Sequence, residues 1–322
     1  MAGVVAEVLD LASCEFRAMG TDVHVLVVDG DDADLHWARA EVDRLEGLWS
    51  RFVAHSDVSR INHNPDTWVD VAPETLHLLG AAVDAWSDTA GAFDPLLGAQ
   101  MEALGYDRSF ERVDQAGAGA TCPPPPPPRR HHDDLRLDEG RGRARIEPGR
   151  ALDLGGIAKG WTADGLVAAL LARGAGGACA NLGGDIAVGG RAPAEDGWYV
   201  AVDHRVASEL HRVIAVPSGG AATSTTLRRR WAGPGGDDRH HLLDPSRSTS
   251  CHGTLVEVTT LAASAARAEV LTKVAFVAPS RLDGVIDLGE AALLTTSDGA
   301  TRVIGDVDRF RPVTTRAVSI AG

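Results

Sequence analysis

The pattern of apolar and polar positions along the chain predicts a mixture of strands and helices. The segment "FRAMGTDVHVLVV" (Phe16–Val28) alternates and is rich in β-branched residues in its second half, which predicts a strand following a glycine turn. Apolar residues then recur at steps of three and four in two segments, which predicts two amphipathic helices. These residues are Leu35, Ala38, Val42, Leu45, Trp49 and Phe52 in the first segment, and Leu76, Leu79, Val83 and Trp86 in the second, which ends near Gly91.

The rest of the chain continues this mixture. Apolar runs predict strands around Leu135–Ile146, Ala151–Leu154, Trp198–Val202 and His211–Val216. Helical spacing follows Gly160 as far as Gly174 and returns over Ala262–Val277, and short strands close the chain. Because strands and helices do not alternate with a regular βαβ period, the sequence predicts an α+β fold rather than a doubly wound parallel sheet.

One segment interrupts the pattern. Residues 117–134, "GAGATCPPPPPPRRHHDD", contain six consecutive prolines, which cannot join a helix or a central strand. Since element patterns continue on both sides, we expect a Pro-rich surface loop inserted into a single domain of residues 16–322, preceded by an N-terminal extension of residues 1–15. A ligand for a proline-recognition domain is the alternative interpretation of the loop.

Composition narrows the class of protein. Apolar residues make up 44% of the 322 residues, which is typical of a globular protein, and a net charge of −14 argues against a nucleic-acid surface. Four scattered cysteines without a C-x-x-C pair indicate free thiols in a reducing compartment. The first residues lack the basic start of a signal peptide, and no segment is apolar enough to span a bilayer. We therefore expect a cytoplasmic protein without membrane insertion.

Four stretches combine glycine, carboxylate or hydroxyl residues at the ends of predicted elements. In "ALDLGGIAKG" (Ala151–Gly160), the glycines and Lys159 could hold a phosphate at the start of a helix, although both standard nucleotide-binding fingerprints are absent. A tight turn at a helix entry explains the same residues. "NLGGDIAVGG" (Asn181–Gly190) could likewise be only a hairpin or bulge.

The other two stretches carry an aromatic ring and histidines. "GAFDPLLG" (Gly91–Gly98) places Phe93 beside Asp94, where a planar ring could stack or where the two residues could simply be buried and capping. "AATSTTLRRRW" supplies hydroxyls, and "RHHLLDP" follows it. His240 and His241 would point to opposite faces of a strand, so at most one of them faces a given site. His131 and His132 lie in the Pro-rich loop, where we expect them to be solvated.

Seven ordered motifs together resemble the ApbE family of flavin transferases. The match extends from about Phe16 to Val277, and its motifs read "AMGT", "SRFVAHSDVSRIN", "GAFDP", "ALDLGGIAKGWTADGL", "NLGGDIAVGG", "ATST" and "HHLLDP". The resemblance implies an α+β fold of two related halves with FAD in the cleft between them. It also implies an enzyme that cleaves FAD, attaches FMN by a phosphoester to a Thr or Ser of an acceptor flavoprotein and releases AMP, usually with Mg²⁺.

Particular residues follow from the same resemblance. It implies that His241 and Lys159 are catalytic, with His241 handling the proton of the acceptor hydroxyl, and that Gly156 and Glu269 face the metal. It implies FAD contacts from Met19, Asn62, Ala92, Phe93, Asp94, Asp153, Lys159, Thr223, Ser224 and Leu243. Lys273, which departs from the family pattern, is a further catalytic candidate.

The chain departs from the family pattern at the two helix positions whose side chains bind Mg²⁺ in family members. Family members show A-D-x-x-x-T on the helix predicted here at Ala262–Val277, whereas this chain has Glu269 for the Asp and Lys273 for the Thr. A protonated lysine cannot bind Mg²⁺. Glu269 and Lys273 could be an ordinary i,i+4 pair on a helix surface, or Lys273 could stand in for the metal as a fixed cation. We expect a changed or lost Mg²⁺ site.

A second departure concerns the hydroxyl-rich turn. Thr225 stands where the family more often has glycine, and a branched residue restricts a turn that glycine would leave free. Two functions other than transfer therefore stay open. One is an FAD pyrophosphatase that releases FMN and AMP. The other is a protein that binds FAD without transferring it, as a store, carrier or redox flavoenzyme.

Overall fold

The computed structural model describes residues 9–113, 134–202, 212–233 and 235–313. The Pro-rich loop predicted at residues 117–134, with Cys122, His131 and His132, therefore lies outside the described residues apart from Asp134. The α-helices are α1 (Asp32–Trp49), α2 (Asp57–His63), α3 (Pro73–Asp88), α4 (Gly98–Ala103), α5 (Ala158–Ala172) and α6 (Ala265–Val277).

An antiparallel sheet of eight strands forms the centre of the fold. Its strands are β1 (Leu11–Ala18), β2 (Thr21–Val28), β6 (Gly177–Leu182), β7 (Asp185–Gly190), β10 (Gly219–Thr225), β15 (Leu255–Ala262), β16 (Ala291–Thr296) and β17 (Thr301–Gly305), in that spatial order. Every neighbouring pair is antiparallel. The α+β prediction is therefore confirmed.

Smaller sheets surround the central one. One is a three-stranded sheet of β3 (Val69–Asp70), β4 (Leu135–Asp138) and β5 (Arg143–Ile146). The others are two-stranded and pair β8 (Trp198–Val202) with β9 (Arg212–Val216), β11 (Arg230–Ala232) with β12 (Asp238–His240), and β13 (Leu243–Asp244) with β14 (Thr249–Ser250).

The central sheet is covered on both faces. One face packs against α1, α5 and α6 through small and branched residues such as Val25, Ala180 and Leu166. The other packs beneath the β8–β9 hairpin, where Trp198 and Ile214 meet sheet residues such as Leu261. A sheet buried on both faces holds its strand ends rigidly, and these ends form one wall of the cleft described below.

Several predicted elements need correction. The segment Phe16–Val28 contains two paired strands around a turn at Met19 and Gly20, both with positive φ, so the boundary suggested at residue 16 lies inside β1. Helix α1 ends at Trp49 because Ser50 is extended, which leaves Phe52 outside it. The segment Ala151–Leu154 is not a strand, because its single bridge joins Ala151 to Leu97.

Candidate active site in the central cleft

A deep cleft of about 1460 Å³ opens beside the ends of the central strands. Its walls come from the β1–β2 turn, from residues 92–97 and 153–159, from the end of β10 and from the C-terminal half of α6. Pockets for drug-sized ligands measure roughly 300–1,000 Å³. The cleft is therefore large enough for a ligand of dinucleotide size.

The start of α6 is fixed by α5. Both oxygens of Asp164 on α5 accept from the first backbone amides of α6, Ala265 N at 2.8 Å and Ala266 N at 2.9 Å. The two helices touch closely at Gly160, where a Cβ atom would lie 2.5 Å from the carbonyl oxygen of Ala265. This capping and close approach hold α6 so that Glu269 and Lys273, one turn apart, project toward α5 and the cleft.

Two lysines and two carboxylates form a largely buried ion cluster in the wall of the cleft. Lys159 Nζ pairs with Glu269 Oε1, lies 3.0 Å from Asp185 Oδ2 and donates to the carbonyl oxygen of Gly155 at 2.9 Å. Lys273 Nζ lies 3.4 Å from the same Glu269 Oε1, and Gly160 N donates to Oε2 at 2.9 Å. Glu269 is completely buried, so its partners replace water entirely.

The charges of this cluster depend on one another. Burial opposes ionisation of Glu269, but Lys159 and Lys273 outweigh it and lower the pKa of this carboxyl. Burial likewise opposes the charge of Lys159, yet Asp185 and Glu269 raise its pKa. Burial and the neighbouring Glu269 raise the pKa of Asp185 to about 6. Lys159 is thus a firmly held cation, neutralised by two carboxylates.

Lys273 is held less tightly than Lys159. Its ammonium makes two long contacts, 3.4 Å to Glu269 Oε1 and 3.3 Å to Ser224 Oγ, whereas strong ammonium–carboxylate bonds measure about 2.7–2.9 Å. Burial and the nearby Lys159 lower the pKa of its ammonium. The side chain lines the cleft. Lys273 therefore keeps donor capacity that an anionic ligand in the cleft could use.

The glycine stretch forms the adjacent wall. Asp153 accepts from Gly155 N at 2.9 Å and pairs with the buried Arg51 at 3.0 Å. The first-turn amide of Gly160, which the phosphate-cradle interpretation would use, donates to Glu269 instead. The amides of Gly155 and Gly160 are therefore used inside the protein, and Gly156 remains at the cleft lining.

His241 and Arg229 also line the cleft. Burial, with Arg229 and Lys273 nearby, lowers the pKa of His241 well below its ordinary value, so its imidazole is neutral at pH 7. Its Nδ1 is buried without a hydrogen-bond partner among the described residues. Arg229 donates to the carbonyl oxygen of Gly20 at 3.2 Å, and no carboxylate of the described residues lies within ion-pair distance of it.

The structure brings most of the predicted site residues together. The cleft is lined by Met19, Ala92, Phe93, Asp94, Asp153, Gly156, Lys159, Thr223, Ser224, His241, Leu243 and Lys273. Asn62 lies away from it, because its side-chain amide bonds both the N–H and the carbonyl of Leu152 at 2.7 and 3.0 Å. Asn62 thus positions the glycine stretch. Glu269 lies behind the two lysines, so the surface-pair interpretation of Glu269 and Lys273 is wrong.

The other histidine turns away from the cleft, as the alternation along the chain predicts. His240 is buried at the end of β12, and its Nε2 lies 2.9 Å from the carbonyl oxygen of Cys251. Thr225 bonds the carbonyl oxygen of Val256 and the N–H of Leu227 at 2.9 and 3.1 Å. Its hydroxyl therefore supports the turn in which glycine was expected.

The residues at the implied metal position do not fit Mg²⁺. Mg²⁺ requires oxygen ligands in near-octahedral arrangement, but both oxygens of Glu269 already accept from lysine or amide donors. Thr272 cannot substitute, because its hydroxyl bonds Ser224 Oγ and the carbonyl oxygen of Glu269, both at 2.7 Å. Within the described parts of the chain, no group of three or more His, Cys, Asp or Glu side chains could hold a metal ion.

Two residues of the site were not singled out from the sequence. Asp185 lies in "NLGGDIAVGG" and Arg229 in "AATSTTLRRRW", and both stretches were recognised without a role for these charges. Asp185 is the first residue of β7, and Arg229 lies in the turn that follows β10. The fold brings both to the cleft, because the start of β7 pairs with β10.

Comparison with known proteins agrees with this architecture. The family model described as "ApbE family" matches residues 19–288. The ApbE protein of Thermotoga maritima superposes with a TM-score of 0.79 at 25% identity, covering 94% of this chain and 100% of that one. No curated protein sequence matches the chain.

Two further solved structures share the fold. The apo form of the flavinyl transferase ApbE of Pseudomonas stutzeri has a TM-score of 0.75 at 22% identity, with coverage of 94% of this chain and 97% of that chain. The flavin transferase ApbE of Vibrio cholerae has a TM-score of 0.74 at 19% identity, with coverage of 94% and 100%.

Proposed function

Because the chain belongs to the ApbE family, we propose that it is a flavin transferase with FAD as its donor substrate. In this proposal it attaches FMN to a Thr or Ser hydroxyl of an acceptor protein and releases AMP. The observation that carries the proposal is the convergence of Lys273, Arg229 and a neutral His241 on one large cleft. Those groups suit the binding of a pyrophosphate and the removal of a hydroxyl proton.

The reaction is a displacement at phosphorus. The acceptor oxygen forms a bond to the phosphorus of the FMN half, and the bond from that phosphorus to the bridging oxygen breaks. The electron pair of the broken bond stays on the phosphate of AMP, which leaves. The enzyme must therefore hold the pyrophosphate, accept one proton and stabilise negative charge on the leaving group.

The residues of the cleft divide these tasks. Lys273 and Arg229 both line the cleft and keep donor capacity toward it, so we assign the pyrophosphate to them. Phe93 packs beside Gly156, where a Cβ atom would lie 3.2 Å from its ring, and offers an apolar wall for a planar ring. Arg51 and Asp153 keep the glycine stretch in place.

His241 is assigned to the hydroxyl proton. Because Nδ1 is buried, Nε2 is the atom that can meet an acceptor in the cleft. A histidine whose pKa lies below the working pH is unprotonated and ready to accept. Loss of a positioned general base lowers a rate by about 10²–10⁴-fold. We expect His241→Ala to reduce AMP release by a factor in that range, with little change in FAD affinity.

The test combines the full-length chain, FAD and a protein extract of the organism that encodes it. AMP is measured by chromatography, and covalent flavin is detected as fluorescence on a denaturing gel. His77→Ala is the matched control, because His77 lies exposed on α3. A fluorescent acceptor band that disappears with His241→Ala and remains with His77→Ala supports transfer.

Other outcomes identify the alternatives. AMP release without a labelled protein indicates an FAD pyrophosphatase, and FAD binding without AMP release indicates a binding protein. Either result contradicts the proposed transfer. We also propose a reducing, cytoplasmic location, which the free thiols of Cys14, Cys179 and Cys251 support. None of the described helices is long and apolar enough to cross a bilayer.

A further inference from the structure

The chain contains only two lysines, and both belong to the ion cluster. Lys159 and Lys273 stand against 29 arginines among the 31 basic residues. Everywhere else this sequence uses arginine for positive charge. A lysine differs from arginine by its compact ammonium, which directs three donors from a single point. Both lysines of the chain therefore lie where a compact ammonium has several acceptors around it.

The Lys273 side chain lies close to Gly156, Ser224 and Glu269. A Cβ atom on Gly156 would lie 3.5 Å from Lys273 Cε, so the end of the stem passes close to the glycine backbone. Its ammonium lies between Ser224 Oγ and Glu269 Oε1 at 3.3 and 3.4 Å. The ammonium thus has a hydroxyl and a carboxylate as partners, and its side chain also lines the cleft.

The two lysines have different tasks. Lys159 is bound to Glu269, Asp185 and the carbonyl oxygen of Gly155, so its donors are already used. Its charge offsets the carboxylate that Lys273 would otherwise have to neutralise alone. Lys273 is consequently left with long contacts and an open side toward the cleft.

We propose that Lys273, supported by Glu269 and Lys159, supplies the positive charge that a divalent cation would supply, so that FAD binding and pyrophosphate cleavage need no metal. The inference rests on the proposed function. As the bond between the FMN phosphorus and the bridging oxygen breaks, Lys273 Nζ donates to the pyrophosphate and stabilises the charge that passes to AMP. No proton, electron or co-reactant is added to the displacement described above.

The first experiment measures FAD affinity by fluorescence quenching of the full-length chain, once with excess EDTA and once with millimolar Mg²⁺. We expect dissociation constants within about twofold of each other. Lys273→Met keeps the length of the side chain and removes its charge, and we expect it to weaken FAD binding about tenfold or more in both buffers, in line with a lost charged hydrogen bond.

A double variant tests the replacement directly. Glu269→Asp with Lys273→Thr restores the A-D-x-x-x-T pattern, so this variant should bind FAD weakly in EDTA and regain affinity when Mg²⁺ is added. The matched control is Arg173→Met. Arg173 caps the C-terminus of α5, pairs with Asp34 of α1 and lies outside the cleft lining. The Arg173→Met variant should behave like the wild type in both buffers.

The second experiment observes the lysines themselves. Protein labelled with ¹³C at lysine Cε gives two signals, and Lys273→Met assigns them by removing one. We expect FAD to shift the Lys273 signal in EDTA, and Mg²⁺ alone to shift neither signal. This readout needs no turnover and does not depend on the identity of the acceptor.

The outcomes separate this inference from the proposed function. FAD affinity that rises tenfold or more with Mg²⁺, or AMP release that requires Mg²⁺, overturns the inference and leaves the transferase proposal standing. Binding that is independent of Mg²⁺ but weakened by Lys273→Met supports the inference even if no flavin is transferred. Failure to bind FAD in either buffer overturns both.

Discussion

Replacing Glu269 by Gln tests whether the buried cluster is held together as the structure implies. The carboxylate is fully buried and is shared by Lys159, Lys273 and Gly160 N. Removing one partner of a buried ion pair costs about 3–5 kcal/mol, because the remaining charge is left uncompensated. Asp185 still pairs with Lys159, and Lys273 can turn toward the cleft. We therefore expect a loss of about 2–4 kcal/mol in the free energy of unfolding.

The assay is urea unfolding followed by circular dichroism at pH 7. Glu41→Gln is the matched control, since Glu41 pairs with Arg44 at the surface of α1, and exposed pairs contribute under about 1 kcal/mol. The double variant Glu269→Gln with Lys273→Met should be more stable than Glu269→Gln alone, because it also removes the cation that lost its partner.

The pH dependence of the free energy of unfolding tests whether Glu269 stabilises the fold as a carboxylate. The pKa of Glu269 is lower in the folded protein than in the unfolded chain, so its stabilisation is complete above about pH 4.5 and is lost as the pH falls through the folded value. The difference between wild type and Glu269→Gln should shrink accordingly in acid. A loss at pH 7 no larger than that of Glu41→Gln, or a double variant less stable than Glu269→Gln, would refute this reasoning.

Two other predictions concern the frame of the site. Gly160→Ala should destabilise the protein by about 1–3 kcal/mol in thermal unfolding, because the new methyl group would collide with Ala265 O. The control, Gly165→Ala on the same helix, meets no atom within 4 Å and should stabilise the protein by up to about 1 kcal/mol. Burial holds the pKa of His241 below 6.5 in the folded protein, so the free energy of unfolding should fall as the pH drops below 6.5, by up to about 1.4 kcal/mol per pH unit. His241→Gln should flatten this pH dependence, and His77→Ala should not. Equal slopes for the two variants would argue against a buried neutral His241.

The four longer helices, α1, α3, α5 and α6, and the fold class could be predicted because they depend on local patterns, whereas the short helices α2 and α4 were missed. The spacing of Leu35, Ala38 and Val42 is set by the face that α1 turns to the sheet, and all three are buried. The end of α1 could not be predicted from spacing, since Phe52 continues the period. Its ring instead lies beneath the guanidinium of Arg51, 4.2 Å from Cζ, outside the helix.

The chemistry of the site was only partly predictable. The replacement of Thr by Lys273 is visible in the sequence, and its role as a fixed cation remains a prediction. The partner of Glu269 is not visible, because Lys159 lies 110 residues away and meets it only where α5 packs against α6. Asn62 is a residue whose motif implied a ligand contact, but in the structure its side-chain amide bonds the backbone of Leu152 instead.

The most direct test of the central claim counts AMP and covalent flavin in one reaction. The full-length chain is incubated with FAD, excess EDTA and the organism's protein extract, and modified proteins are identified by mass spectrometry. We expect FMN on a Thr or Ser of a specific protein in amounts equal to the AMP released, and Lys273→Met in place of the wild-type chain should lower both products together. AMP without modified protein, or modification that appears only when Mg²⁺ replaces EDTA, would contradict this claim.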